Sequence, residues 1–144
     1  MTVNIVPYDG LGFLIHLVNP PLITLPDGTE IPAPNMRTLQ RAVFLLLIEK
    51  PARLTGAEVR FIRKYLRLKQ VELASLLHLS NHSAVSQWET REDEPAGMDY
   101  NTEILLRLRM SAAVSENKNL PWSLLDKWND LTLKDDTWKI QVAA

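Results

Sequence analysis

Apolar residues first crowd together along this chain and then space out, and the change marks where strands give way to helices. "GFLIHLV" (12–18) is an apolar run, and "LITLPDGTEI" (22–31) sets two short β-compatible arms around Asp27-Gly28, a hairpin-turn dipeptide. Residues 12–31 are therefore predicted as strands. Prolines at 20, 21, 32 and 34 cannot donate to a ladder and confine those strands to sheet edges or loops. From Asn35 the period lengthens. "NMRTLQRAVFLLLIEK" offers Asn35 as an N-cap, apolar residues through Ile48, and Pro51 as the stop.

The next stretch, "LTGAEVRFIRKYLRL", opens with Thr55 and Glu58 in capping-box spacing, each side chain serving an orphan amide of the other end. Val59, Ile62 and Leu66 form the stripe to be buried, widened by Phe61 and Tyr65. Arg60, Arg63, Lys64 and Arg67 fall on the opposite face. A second helix is predicted from about Gln70 to Leu77 and a third from about His82 to Thr90, joined by a turn one residue longer than such pairs usually have. Pro95 and Gly97 break the chain before a longer helix, Tyr100–Val114. In the tail, Pro121 suits a first helical turn, and Trp122, Leu125, Trp128 and Leu131 follow at helical spacing, a stripe read as core. "TWKIQV" then alternates Trp138, Ile140 and Val142, the pattern of a final strand.

Composition narrows the class. The chain has 144 residues, 46% hydrophobic and 23% charged, which suits one compact domain or a small domain with an extension. Cysteine is absent, so disulfides and thiolate metal sites are excluded. "MTVNIVPYDG" lacks a basic leader segment, and the longest apolar run, Ala42–Ile48, is too short to span a bilayer. A soluble cytoplasmic protein is expected. The net charge of −1 conceals a division: residues 37–91 hold ten Lys/Arg against four Asp/Glu, and the rest of the chain is acidic. A basic stretch of that length either meets polyanions or is a solvated surface balanced by acidic neighbours.

The chemistry lies in "QVELASLLHLSNHSAVSQWE" (70–89). Leu73, Ala74 and Leu77 face inward from its first helix, and Val85 and Trp88 from its second. Ala74 is small where two crossing helices must approach. Ser83, Ser86, Gln87 and Thr90 are left outward, short and polar, as a helix entering the major groove requires. The plain alternative is a three-helix pack whose polar face sees only water. His78 and His82 lie four apart but straddle the turn, with no third ligand nearby, so no metal site is assigned. His16 in an apolar strand reads as structural. Nucleophile–base arrangements, Gly-rich phosphate loops and paired carboxylates are absent, so neither an enzyme nor a cofactor is expected, and no catalytic residue is assigned.

On these residues the stretch resembles the helix-turn-helix of the XRE/Cro-repressor superfamily. The matching positions are Gln70, Leu73, Ala74, Leu77, Leu79, Ser80, Val85, Ser86, Trp88 and Glu89. With the lead-in "LQRAVFLLLIEKPARLTGAEVRFIRKYLRL", the resemblance is closest to the YgiT/MqsA-type branch of antitoxin-like regulators, in which the longer turn occurs. It covers about residues 37–110. Four departures stand out. His78 replaces the usual glycine of the turn, and Lys69 replaces a capping Ser or Thr, which forgoes about 0.5–2 kcal/mol. "REDEPAG" (91–97) puts acidic residues where a basic turn is usual, and the zinc-binding cysteines of that branch are missing.

The resemblance implies a mainly α fold: a five-helix XRE/Cro-like (lambda-repressor-like) helix-turn-helix domain over residues 37–114. Residues 1–36 would be a small β-rich segment and 115–144 a helix-and-strand extension. It further implies a transcriptional repressor of the XRE class, one form of which is a type II antitoxin with a cognate toxin as partner. Such a protein binds double-stranded operator DNA as a homodimer. Aligned on "VSQWE", Ser83 and Gln87 take the two base-contacting positions, Ser86 is base-facing, and His82 and Thr90 lie at the margins. Gln70 would meet a phosphate at its helix's N-terminus. The dimer seam would be Ile104, Leu105, Leu108 and Ala112. The alternative is a protein-interaction module, a toxin binder that keeps the fold with little DNA binding.

Overall fold

A computed structural model describes residues 3–115, 122–135 and 137–143. Pro121, expected in a first helical turn, lies outside them. Strands β1 (Ile5–Tyr8) and β2 (Ile15–Val18) pair antiparallel, with Pro7 opposite His16. Pro7 is tolerated because β1 is an edge strand. Strands β3 (Leu22–Thr24) and β4 (Glu30–Pro32) form the expected hairpin, in which the Asp27 carboxylate accepts the Thr29 amide at 2.9 Å and Gly28 takes the positive φ of 89° that the turn requires.

Helix α1 (Met36–Ile48) starts where Asn35 accepts the Thr38 amide at 3.1 Å. Helix α2 (Gly56–Tyr65) carries the complete Thr55/Glu58 capping box. Two short helices follow, α3 (Gln70–Leu76) and α4 (Ala84–Glu89), and then α5 (Tyr100–Val114) and α6 (Trp122–Trp128). Strand β5 (Gln141–Ala143) returns to pair in parallel with β2, giving the order β1-β2-β5.

That last pairing overturns the mainly helical, five-helix arrangement. Among the described residues the chain is mixed α/β, with six helices and five strands in two sheets. The reason lies in the core. Ile15 and Leu17 of β2 and Val142 of β5 are buried with Ile140, in the same cluster as Phe44, Leu47 and Ile62 of the helices. The sheet thus closes one side of a shared core and is no appendage to a helical bundle. Trp128 is fully buried and donates its indole N–H to the Ile48 carbonyl at 2.7 Å, whereas Trp122 is 68% exposed, so the tryptophan stripe divides between core and surface.

The inward face of α5 was not anticipated. It presents Glu103, Leu106, Arg107 and Met110, two of them charged, while Ile104, Leu105 and Leu108 are half-buried at its flanks and Ala112 is exposed. Arg107 donates to the carbonyls of Ile48 (3.2 Å), Lys50 (2.7 Å) and Ala52 (2.7 Å), and to Glu103 at 2.9 Å. It therefore satisfies the acceptors where α1 ends, a place that favours a cation. Burial pushes its guanidinium below the ordinary value, and Glu103 opposes the shift. Arg53 closes the network onto Glu103 at 2.9 Å. No helix among the described residues is long and apolar enough to cross a membrane.

Candidate nucleic-acid interface

Both turns that frame α3 close in the same way. After α2, the Leu68 amide donates to Arg63 and the Arg67 amide to Lys64, with Arg67 at a φ of 59°. After α3, the Leu79 amide donates to Ala74 (2.9 Å) and the His78 amide to Ser75 (3.1 Å), with His78 at a φ of 57°. These are Schellman closures built on non-glycine residues. His78 thus occupies the left-handed position for which glycine is the usual residue. Leu79 then turns back onto the core, so the longer connection is pinned at its start.

Its far end is set by a residue that the sequence analysis did not single out. Asn81 accepts the Ser83 amide at 3.0 Å and the Ser83 hydroxyl at 2.6 Å, launching α4 from an Asx turn. An Asn three residues before a helical stretch was the available signal. α4 is short, about 9 Å at 1.5 Å per residue. Val85 and Trp88 are buried, and His82, Ser83, Ser86, Gln87 and Thr90 are all exposed. Ser83 and Gln87 lie close enough for a weak contact at 3.5 Å, and the Thr90 hydroxyl donates to the Gln87 carbonyl at 2.7 Å. Ser83, Ser86, Gln87 and Thr90 form one uncharged polar face, with His82 just before the helix begins, Ser83 donating to Asn81 and the Gln87 amide turned back toward Ser83.

Glu89, 4% exposed, ties the pair to α2. Its carboxylate accepts Arg63 Nε at 2.7 Å and Arg63 Nη2 at 3.0 Å, and takes Gln70 Nε2 at 3.3 Å. Gln70 heads α3 as expected, but its side chain turns toward Glu89. Lys69 makes no side-chain cap, since an ammonium has no acceptor. Glu72 supplies the other half, taking the Lys69 amide at 2.8 Å.

The acidic segment after α4 is structural. The carbonyls of Glu92 and Glu94 accept the amides of Ala57 (2.9 Å) and Gly56 (3.1 Å), and so cap the start of α2. Gly56 is obligatory there, because a Cβ would meet the Trp88 carbonyl oxygen and lie 2.9 Å from the Glu92 nitrogen. Glu92 pairs with Arg60 at 2.8 Å, and that hydrogen bond holds its carboxyl below the usual range. The four-cation face of α2 is thereby split. Arg60 and Arg63 are spent on Glu92 and Glu89, while Lys64 and Arg67 turn toward α1.

Among the described residues no cluster of three His, Asp or Glu could hold a metal ion. Comparison with family models, with curated proteins and with solved structures finds no match.

Proposed function

We propose that this protein is a sequence-specific DNA-binding transcriptional regulator that represses by occupying operator DNA through the α3–α4 pair. The observation that carries the reading is the uncharged polar face of α4, held outward by buried Val85 and Trp88 and locked to α2 through Glu89. An exposed helical face of short polar side chains suits base edges in the major groove. In this reading Gln87 reads a base, Ser83 and Ser86 flank it, His82 and Thr90 mark the margins, and Gln70 opens the α3 turn whose amides meet a phosphate. The protein acts as a homodimer on two half-sites, with the half-buried Ile104, Leu105 and Leu108 and the exposed Ala112 of α5 as the seam. Autoregulation beside a cognate toxin is one setting for such a repressor. A protein-interaction role is favoured by one observation: the β3–β4 hairpin exposes Leu22, Ile23 and Ile31.

A binding-site selection with the intact chain, followed by salt titration, tests the main reading. Affinity falls steeply with salt as counterions are released. Gln87→Ala costs about 1–3 kcal/mol on the selected site and relaxes one base pair per half-site, and Gln87→Arg moves that preference toward guanine. Salt-insensitive binding, or a Gln87→Ala selection identical to the parent's, rules the reading out.

A further inference from the structure

Of the ten cations between residues 37 and 91, Lys50, Arg53, Arg60 and Arg63 are neutralised by carboxylates. Four others, Arg37, Arg41, Lys64 and Arg67, make no ion pair among the described residues and line one open cleft of about 560 Å³ with Gln40 and Tyr65. No carboxylate lines it. Four like charges around a common space repel one another, and no carboxylate among the lining residues offsets that repulsion, whereas two exposed lysines elsewhere are paired. Lys127 is matched to Glu49 and Lys134 to Glu94, even at the exposed surface.

The cleft also has the right donors in a rigid frame. Arg37 and Arg41 stand one helical turn apart on α1, so their side chains rise from the same face about 5–6 Å from each other. The Tyr65 ring is fixed by stacking on Phe44, with centroids 4.3 Å apart. Arg67 is held in the left-handed turn that leads directly into Lys69 and α3. Guanidinium forks take two oxygens of a phosphate at once, and Gln40 adds an amide donor.

We infer that this cleft binds consecutive phosphates of a nucleic-acid backbone, as an anchoring surface separate from the α4 face, an inference that rests on the DNA reading above. The groove is open, and its multiple cations suit a polyanion lying along it rather than an enclosed small molecule. Phosphate contacts of this kind position a protein without reading sequence.

The test uses the intact chain carrying Arg37→Gln, Arg41→Gln and Arg67→Gln together. All three side chains are exposed, so its melting temperature should match the parent's. The triple variant and Gln87→Ala are titrated against a selected duplex, a scrambled duplex and inorganic tripolyphosphate. The triple variant weakens both duplexes alike and flattens the slope of log K against log salt by about 0.9 per lost contact, with base preference unchanged. Gln87→Ala does the reverse, relaxing preference and keeping the slope. Equal slopes for parent and triple variant overturn the cleft while leaving the α4 reading intact. A chain that ignores both duplexes but binds tripolyphosphate through these arginines keeps the phosphate site and overturns its nucleic-acid source together with the α4 reading. Loss of all three ligands by the parent overturns both.

Discussion

Glu89→Gln asks whether one buried carboxylate holds the α3–α4 pair in place. Glu89 is almost fully buried and takes two hydrogen bonds from Arg63 and one from Gln70, with Arg60 Nε 3.7 Å away. Removing one partner of a fully buried pair costs about 3–5 kcal/mol, whereas an exposed pair contributes about 0–1 kcal/mol. The Arg63 side chain is 14% exposed and that of Arg60 31%, so water screens part of the loss. The Gln side chain also keeps one acceptor oxygen. The expected cost is therefore about 2–3 kcal/mol, read by urea unfolding followed by circular dichroism. At about 2–4 °C per kcal/mol for a chain near this size, the melting temperature falls by about 4–12 °C. Arg63→Met should cost a comparable amount. The double variant should cost about 1–2 kcal/mol less than the sum, because each single change already destroys the shared interaction. An unchanged melting temperature for Glu89→Gln, or strict additivity in the cycle, refutes the reasoning.

Three further expectations follow from the geometry. Gly56→Ala forces a methyl against backbone at the α2–α4 junction and should destabilise by about 2–3 kcal/mol, measured by denaturant unfolding; a neutral result would mean that the junction relaxes freely. His78→Gly relieves a left-handed residue at the Schellman turn and should stabilise by about 0.5 kcal/mol in the same assay, since the gain in strain outweighs the looser unfolded chain; destabilisation would mean that the His78 ring itself contributes. Glu92 has its carboxyl held below 4.5 chiefly by the Arg60 hydrogen bond. That pair therefore contributes above the ordinary carboxylate value and is lost as pH falls through the lowered one. Arg60→Gln should return the Glu92 titration, followed by NMR, toward 4.5, and an unmoved titration would assign the shift elsewhere.

Local signals were legible residue by residue. Asn35, the Thr55/Glu58 box, the Asp27-Gly28 turn and the bounds of α1 and α5 could be read because caps and turns are satisfied by residues a few positions away. Burial of Val85 and Trp88, and exposure of the Ser83–Thr90 polar face, followed from helical period alone. α5 defeated that method. Its inward face carries Glu103 and Arg107, and a rule that places charge outside cannot foresee a guanidinium turned inward to serve three carbonyls.

The sequence by itself determined the helices, the hairpin, the final strand and the polar face of α4, since each depends on period, capping or turn chemistry within about a dozen residues. Only the tertiary structure decided that β5 pairs with β2 and makes the fold mixed α/β. The same holds for the acidic segment closing the start of α2, and for Arg60 and Arg63 being neutralised while Arg37, Arg41, Lys64 and Arg67 gather around one cleft. Strand partners and ion pairs form between residues far apart in the chain, and their choice is fixed by which apolar faces must share a core, a quantity that no local window contains.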